Sequence, residues 1–178
     1  MALNGKMLLN VNGADIAPLS FPGVGTFMAF SGNGAYKNRG GCGKFSGTAA
    51  GDGPLPEGRY WIVSRGGGGS ISKGIAYIKD TYNKFHSGAE FRRDEWFALY
   101  PNDWNIDDTL WIEGVKRQHF RLHPGVLSDG CITLVSNADF HTLRNALLAT
   151  QQIDAPCMKD LKAYGMIEVV NNGYNTCS

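Results

Sequence analysis

A histidine and a cysteine eight residues apart, His123 and Cys131, are the side chains of this 178-residue chain best suited to covalent chemistry. Cysteine acts as a nucleophile in its thiolate form, which a neighbouring imidazole can generate by accepting the thiol proton. The pair therefore predicts nucleophilic catalysis at Cys131 with His123 as the base. A buried core thiol and an unrelated loop histidine fit the spacing equally well.

The residues next to Cys131 favour the catalytic interpretation. Gly130 leaves space for a carbonyl group, and the successive backbone N–H groups of Gly130 and Cys131 are expected to form an oxyanion hole. The apolar run 132–135 then predicts a strand that holds the sulfur rigidly. Ser128 and Pro124 are expected to support this turn structurally.

Alternating apolar and polar residues before the histidine predict a strand over Gln118–Leu122. One face of this strand then presents three side chains capable of chemistry: His119, Arg121 and His123. His119 is a rival base on that face, but it lies two strand repeats from His123, about 13 Å away along an extended strand. We therefore predict that His119 has a structural or substrate-contact role.

Most apolar runs in the chain are short and end at Gly, Pro, Asn or Asp, which is typical of a β-rich fold. The predicted strands are Lys6–Val11, Thr26–Phe30, Tyr60–Ser64, Ile75–Ile78, Phe97–Tyr100, Thr109–Glu113, Gln118–Leu122 and Met166–Val170. No long linker divides them. We expect residues 1–178 to form a single domain that is mainly β, sandwich- or barrel-like, with one or two short helices.

One helix has clear local signals. Ser136, followed three residues later by Asp139, resembles a capping box. An apolar stripe at helical spacing follows, formed by Phe140, Leu143 and Leu147. A second short helix is predicted over Met158–Ala163, because it lies between a proline and a glycine.

The composition excludes several classes of protein. The net charge of +1 gives no basis for a nucleic-acid or membrane-surface partner. No apolar segment reaches the roughly 18 residues of a membrane-spanning helix, and the N-terminal residues lack the features of a signal peptide. The four cysteines match no zinc-site spacing. A Cys157–Cys177 disulfide is the preferred pairing, and free thiols are the equal alternative.

The segment Ser128-Asp-Gly-Cys131-Ile-Thr-Leu resembles the Ser-His-Gly-Cys-Ile-Arg-Leu signature of the YkuD-type L,D-transpeptidases. Leu122-His123-Pro-Gly is similar to the Ile-His-Gly element that carries the base in that family. Gly53-Pro-Leu-Pro-Glu-Gly-Arg-Tyr60 resembles a third family segment, Gly-Pro-(apolar)-Pro-x-Gly-x-Tyr. Together with Phe30-Ser-Gly-Asn-Gly-Ala-Tyr-Lys-Asn38, it is similar to a branch of antibacterial type VI secretion effectors.

The resemblance implies that Cys131 attacks the carbonyl that joins the third stem residue of peptidoglycan tetrapeptides to the terminal D-Ala. Water as the acceptor gives L,D-carboxypeptidase activity, and an amine gives L,D-transpeptidase exchange. No metal or organic cofactor is implied. The implied route is secretion without a signal peptide into a target bacterium's periplasm, with the secretion apparatus and a periplasmic immunity protein as partners.

The chain departs from the family signature around the cysteine. Asp129 replaces a histidine, and Thr133 replaces an arginine that is a partner for the substrate carboxylate. Arg121 is the candidate substitute, with His119 and Asp129 as further candidate substrate contacts. Pro124 still offers a carbonyl that can orient the imidazole. The short interval between base and nucleophile predicts an open cleft.

Two other classes are left open by the residues. A papain-like peptidoglycan amidase also uses Cys and His, but it usually places the cysteine first, often at a helix N-terminus. A catalytically silent wall-binding or toxin-neutralising module would keep the fold without turnover. Alkylation is expected to separate this module from an enzyme, because a catalytic thiolate at Cys131 should react quickly with iodoacetamide at neutral pH.

Overall fold

A computed structural model of the protein describes residues 1–11, 14–65, 91–156, 158, 160–173 and 177. The described strands are β1 Leu3–Leu9, β2 Ala17–Phe21, β3 Gly25–Phe30, β4 Gly58–Ser64, β5 Phe97–Pro101, β6 Leu110–Ile112, β7 Val115–Arg117, β8 Arg121–Pro124, β9 Ile132–Leu134, β10 Ile153–Asp154, β11 Lys162–Ala163 and β12 Gly165–Asn171. Helix α1 is Asn137–Ala149, and 3-10 turns occur at Gly34–Tyr36 and Arg93–Glu95. The predicted strand Ile75–Ile78 lies outside the described residues.

Eight strands close into a barrel in the order β1-β12-β4-β5-β8-β9-β3-β2. The pairs β1–β12 and β8–β9 are parallel, and the other neighbours are antiparallel. Two separate two-stranded sheets are formed by β6 with β7 and by β10 with β11. The expectation of a mainly β, barrel-like fold with a short helix is confirmed.

The sequence alternation decides which strand side chains enter the core. In β1, Met7 and Leu9 are fully buried, whereas Asn4 and Lys6 at the alternate positions are exposed. The same core contains side chains from both strands of the candidate site, Leu122 of β8 and Ile132 of β9. Each buried side chain of this size contributes roughly 1.5–3 kcal/mol. The core therefore fixes the backbone of both strands.

Helix α1 packs against β8 and β9, as its apolar stripe predicts. Ser136 Oγ accepts a hydrogen bond from Asp139 N at 3.2 Å, which confirms the predicted N-cap. The buried side chains of the helix are Phe140, Leu143 and Leu147. The helix thus supports β8, which carries His123, and β9, which begins directly after Cys131. Among the described residues, no helix is long and apolar enough to cross a membrane.

The predicted helix Met158–Ala163 is wrong. Asp160 has a φ of +64°, which a continuous right-handed helix does not allow, and Lys162–Ala163 forms β11 instead. Met158 and Leu161 pack instead on the outer face of β4. The small cluster there consists of Trp61, Val63, Ala98, Ala155, Met158, Leu161 and Ala163.

One strand was not predicted, and two predicted strands have different bounds. Strand β2 contains Pro18, an unfavourable residue in a strand, and was not predicted. The strand expected at Gln118–Leu122 begins only at Arg121, because His119 has a φ of +64° and interrupts the extended backbone. The strand expected at Thr109–Glu113 is the shorter β6, which pairs with β7 outside the barrel.

The disulfide pairing is also different from the preferred prediction. Cys42 and Cys177 are joined, with their Cα atoms 5.1 Å apart. Cys157 lies outside the described residues, and its predicted pairing with Cys177 is wrong. The expected pairing joined two cysteines near each other in the chain, whereas the observed bond links the glycine-rich segment between β3 and β4, residues 31–57, to Cys177 near the C-terminus.

Candidate active site

The parallel pairing of β8 and β9 brings His123 and Cys131 to one place. His123 lies opposite Thr133, so Cys131, two residues before Thr133, is level with Arg121. Alternate positions of a strand share a face, which puts His123 and Cys131 on the same side of the sheet. Their separation is one diagonal step, about 8 Å between Cα atoms from ordinary strand dimensions.

The imidazole of His123 is held in one orientation. Its Nδ1 lies 2.9 Å from the carbonyl oxygen of Pro124, which can only accept a hydrogen bond, so Nδ1 carries the proton in the neutral ring. The Nε2 atom is therefore the basic nitrogen, and it lies 3.3 Å from the Thr133 hydroxyl. The carbonyl contact expected for Pro124 is present, and the catalytic role of His123 stays a prediction.

His123 is neutral at physiological pH. The residue is only 7% exposed, and this burial is the main reason that its pKa falls from 6.5 to about 4. The hydrogen bond to Pro124 opposes the shift, whereas the positive charges of Arg93, Arg121 and Arg65 add to it. A neutral imidazole is the form that can accept a proton.

Cys131 is also neutral in the free protein. Cys131 is half-buried, and this burial raises the pKa of its thiol from 9.0 to about 11, whereas the Arg121 backbone N–H and side-chain charge oppose that shift. The thiol donates a hydrogen bond to the carbonyl oxygen of His119 at 3.7 Å. Proton transfer to His123 therefore requires the thiol to turn from this carbonyl. Such catalytic contacts often tighten only when substrate binds.

Ser128 fixes the turn that leads to the nucleophile. Its buried hydroxyl donates to the carbonyl oxygen of Cys131 at 2.8 Å and accepts from Gly32 N at 3.1 Å. Gly130 in the same turn has a φ of +102°, a conformation that favours glycine. The structural support expected from Ser128 is present, and the oxyanion role of Gly130 stays a prediction.

Asp129 faces the glycine-rich segment. Asn33 donates to Asp129 Oδ1 at 2.8 Å and to the Ser128 carbonyl at 3.3 Å, and its own oxygen accepts from Asp52 N at 2.8 Å. Asn33 thereby joins the turn before Cys131 to the segment around Asp52. This contact gives Asp129 a structural partner. The substrate contact expected for Asp129 stays a prediction.

Arg121 and His119 surround a carboxylate. Arg121 Nη1 lies 2.5 Å from Asp108 Oδ2, and His119 Nδ1 lies 3.7 Å from the same oxygen. The Arg121 and Asp108 side chains are 17% and 18% exposed, whereas His119 is 70% exposed. Because the charge of Arg121 is already paired, a substrate carboxylate would have to compete with Asp108 for it.

Trp96 covers the imidazole. Its ring stacks on His123 with centroids 4.3 Å apart and planes 20° apart. The guanidinium carbons of Arg65 and Arg93 each lie 5.9 Å from the Trp96 ring. The base therefore lies beneath an aromatic ring that also adjoins two of the charges that lower its pKa.

A comparison with protein families matches the part of the chain that contains this site. Residues 25–158 match the Tlde1 domain, a type VI secretion effector family. The chain belongs to the Tlde1 family. No curated protein and no solved structure matches it. Because the matched residues include His123, Cys131 and the glycine-rich segment, the whole candidate site lies within the Tlde1 domain.

Several residues of the Tlde1 site were missed because their partners are distant in sequence. Trp96 and Asp108 have no local signal, because Trp96 stacks on His123 and Asp108 pairs with Arg121, each more than ten residues away in the chain. Asn33 lies in a segment that carries the family resemblance, yet nothing local indicates its contact with Asp129. Cys42 is held in a disulfide and is therefore not available as a second nucleophile.

The described part of the Tlde1 domain offers no metal centre. No group of three or more His, Cys, Asp or Glu side chains in the described residues is arranged to hold a metal ion.

Proposed function

We propose that this Tlde1 protein is an L,D-carboxypeptidase and L,D-transpeptidase that uses Cys131 as its nucleophile on peptidoglycan tetrapeptide stems. The observation that carries the proposal is the fixed imidazole of His123, with Nδ1 on the Pro124 carbonyl and Nε2 facing β9. The resemblance of residues 128–134 to the L,D-transpeptidase signature supplies the reaction class.

The first half of the reaction forms an acyl-enzyme. Both groups start neutral, so His123 acts as a general base and not as one half of a resting ion pair. The S–H proton of Cys131 passes to Nε2 as the sulfur bonds to the carbonyl carbon before the terminal D-Ala. The carbonyl oxygen becomes an oxyanion, and the backbone N–H groups of Gly130 and Cys131 are its proposed donors.

The intermediate then collapses and the C–N bond breaks. The imidazolium of His123 gives its proton to the departing amine of D-Ala, which leaves a thioester on Cys131. His123 next accepts a proton from the incoming water or amine as that group attacks the thioester carbonyl. The C–S bond breaks, and the proton returns to the sulfur. Water yields a tripeptide, and a D-amino acid yields an exchanged tetrapeptide.

The effector family supports a proposed site of action. Peptidoglycan stems are exposed in the periplasm, so we place the activity there, in a target bacterium. A producer of such an enzyme needs protection, and we propose a periplasmic immunity protein that covers the cleft beside Cys131. Periplasmic expression without that protein should arrest growth or deform cells, and normal growth and shape would contradict the toxin proposal.

The decisive experiment uses purified disaccharide-tetrapeptide, with and without excess D-Met. Mass analysis should show loss of one D-Ala, or its replacement by D-Met, with the unchanged protein and with His141→Ala. His141 is an exposed histidine on α1 and serves as the matched control. Cys131→Ala and His123→Ala should abolish both products. Separation of the peptide from the sugar would instead indicate an amidase.

A catalytically silent wall-binding module is the second candidate. The resting thiol favours it, because Cys131 donates its hydrogen bond to the backbone carbonyl oxygen of His119 and not to the imidazole of His123. This candidate predicts binding of the tetrapeptide without any product between about pH 6 and pH 10. The papain-like amidase is less favoured, because Cys131 precedes a strand and follows the histidine in the chain.

A further inference from the structure

Arg117 is a buried cation at the end of β7, with only 2% of its surface exposed. Its guanidinium donates to backbone carbonyls at both ends of the loop 43–54 in the glycine-rich segment. The acceptors are Gly43, Phe45 at 3.2 Å, Gly53 at 3.1 Å and Pro54 at 3.4 Å. One planar side chain therefore holds residues 43–54 in a single arrangement.

The other side of the guanidinium faces the nucleophile turn. A Cβ atom on Gly130 would overlap Arg117 Nη2, so this glycine is needed for close approach as well as for its φ of +102°. Gly130 directly precedes Cys131. The guanidinium thus fills the space between the 43–54 loop and the turn that delivers the sulfur.

The positive charge of Arg117 also acts on the Cys131 thiol. Burial lowers the pKa of Arg117, but a guanidinium remains protonated in proteins. Burial raises the pKa of the Cys131 thiol, and Asp129 adds to that rise. Arg121 and, to a smaller extent, the positive charge of Arg117 lower it. Because solvent is largely excluded around the guanidinium, this attraction is weakly screened.

We propose that Arg117 is a positioning residue for the reaction of Cys131. It locks the glycine-rich loop beneath the Gly130 turn, and its charge stabilises the thiolate as the proton leaves. The proposal rests on the proposed role of Cys131 as nucleophile. To the imidazole of His123 it adds a buried guanidinium charge that acts on the sulfur.

The test separates charge from hydrogen bonding by two substitutions in the full chain. Arg117→Gln keeps hydrogen-bond donors but removes the charge, whereas Arg117→Lys keeps the charge but loses the planar fork. Arg59→Gln is the control, because Arg59 is exposed and pairs with Glu168 at 3.6 Å on the barrel surface. Each protein is checked by thermal unfolding, by iodoacetamide alkylation of Cys131 against pH, and by tetrapeptide turnover.

The expected results differ between charge and packing. Loss of an adjacent opposite charge shifts a pKa by about one unit or more, so Arg117→Gln should alkylate about tenfold more slowly below the midpoint. Arg117→Lys should keep the wild-type pH midpoint of alkylation, with alkylation rates within about threefold of wild type. Its tetrapeptide turnover should nevertheless be about tenfold slower, because the planar fork is lost. A purely structural role would lower the melting temperature of both variants and leave the alkylation midpoint unchanged, which would overturn the proposal.

A third variant covers the case in which neither substitution folds. Gly130→Ala keeps Arg117 and its carbonyl acceptors but pushes the guanidinium away from the turn. Slower alkylation in this variant is expected, and a wild-type alkylation profile would overturn the proposal. Wild-type turnover is measured alongside: its absence would refute the proposed enzyme activity, whereas the alkylation profiles would still decide the role of Arg117.

Discussion

Trp96 and His123 stack with ring centroids 4.3 Å apart, which closes one face of the imidazole to solvent. The Pro124 carbonyl fixes the same ring in its plane through Nδ1 at 2.9 Å. Stacking restricts tilt and the hydrogen bond restricts rotation, so Nε2 points in one direction. The indole therefore contributes to two properties of the base, its orientation and its neutral state.

Replacing Trp96 should change both properties. Trp96→Ala admits water to the imidazole, so the pKa of His123 should rise from about 4 towards the ordinary 6.5. Turnover should fall by about tenfold, because the ring loses its orientation. The measurement is NMR titration of the His123 ring together with tetrapeptide turnover.

Two variants serve as controls for this prediction. Trp96→Phe keeps an aromatic face and should preserve the lowered pKa. Trp104→Ala removes a tryptophan that is 72% exposed, and it should leave the titration unchanged. An unchanged His123 titration in Trp96→Ala would show that the stack has no part in keeping the imidazole neutral.

The lowered pKa of His123 also predicts how stability depends on pH. The unfolded chain protonates this histidine near pH 6.5, whereas the folded protein does so only near pH 4. Between those values the unfolded state binds more protons, so the free energy of unfolding should rise with pH. The contribution is fully present above pH 6.5 and is lost as pH falls towards 4, about 3 kcal/mol in all.

His123→Gln is the matched variant for this measurement. Chemical denaturation at several pH values should give a slope between pH 4 and 6.5 that is shallower in the variant than in the unchanged protein. His141→Gln, at an exposed helix position, should keep the full slope. Equal slopes in all three proteins would contradict the assignment of a neutral buried imidazole.

Alkylation of Cys131 should be slow at neutral pH, contrary to the expectation of a ready thiolate. A pKa near 11 in place of 9.0 lowers the thiolate fraction about 100-fold at pH 7 to 8. The rate of reaction with iodoacetamide should rise steadily up to about pH 11. Slow alkylation of the free protein therefore does not distinguish an enzyme from a silent module.

A substrate-bound measurement makes that distinction. Bound tetrapeptide should protect Cys131 from alkylation in either case, but only an enzyme should give a thioester adduct in a brief acid quench. Fast alkylation at pH 7, equal to that of an exposed thiol, would contradict the raised pKa of the free protein.

Features set by neighbours in sequence were predictable here, and features set by distant contacts were not. The cap at Ser136 and the apolar stripe of α1 are local, and both are present. The first strand was predicted at Lys6–Val11 and is observed at Leu3–Leu9, so its existence was predictable and its bounds were not. In contrast, a proline and a glycine on either side of Met158–Ala163 suggested a helix, and the packing of Met158 and Leu161 on β4 depends on distant contacts.

The candidate site shows the same limit. His123 and Cys131 were recognisable as the candidate base and nucleophile because they lie eight residues apart in one segment. Trp96 contacts His123 across the barrel strands, and Arg117 contacts Gly53 in the glycine-rich segment. Both contacts join residues distant in sequence, so no sequence spacing indicates them. The left-handed backbone of His119 also escaped prediction, since alternation alone gave it a place in the strand.

Loss of the Cys42–Cys177 disulfide should weaken both the fold and the site. The bond closes a sequence separation of 135 residues, and long loops of this kind give stabilisation of roughly 2–5 kcal/mol. Phe45 N donates to Cys42 O at 3.1 Å, and the Phe45 carbonyl accepts from Arg117. The bond therefore anchors the segment that Arg117 holds beneath the nucleophile turn.

The measurement is chemical denaturation of Cys42→Ser and Cys177→Ser in a Cys131→Ala background, which removes thiol exchange with the nucleophile. Both variants should lose the same free energy of unfolding, and reductant should have no further effect on either. Turnover in chains that retain Cys131 should fall in parallel. A periplasm is oxidising, so the proposed place of action is one in which this bond forms. Non-reducing peptide mapping that joined Cys177 to Cys157 would contradict the pairing, and with it the link from the C-terminus to the Arg117 loop.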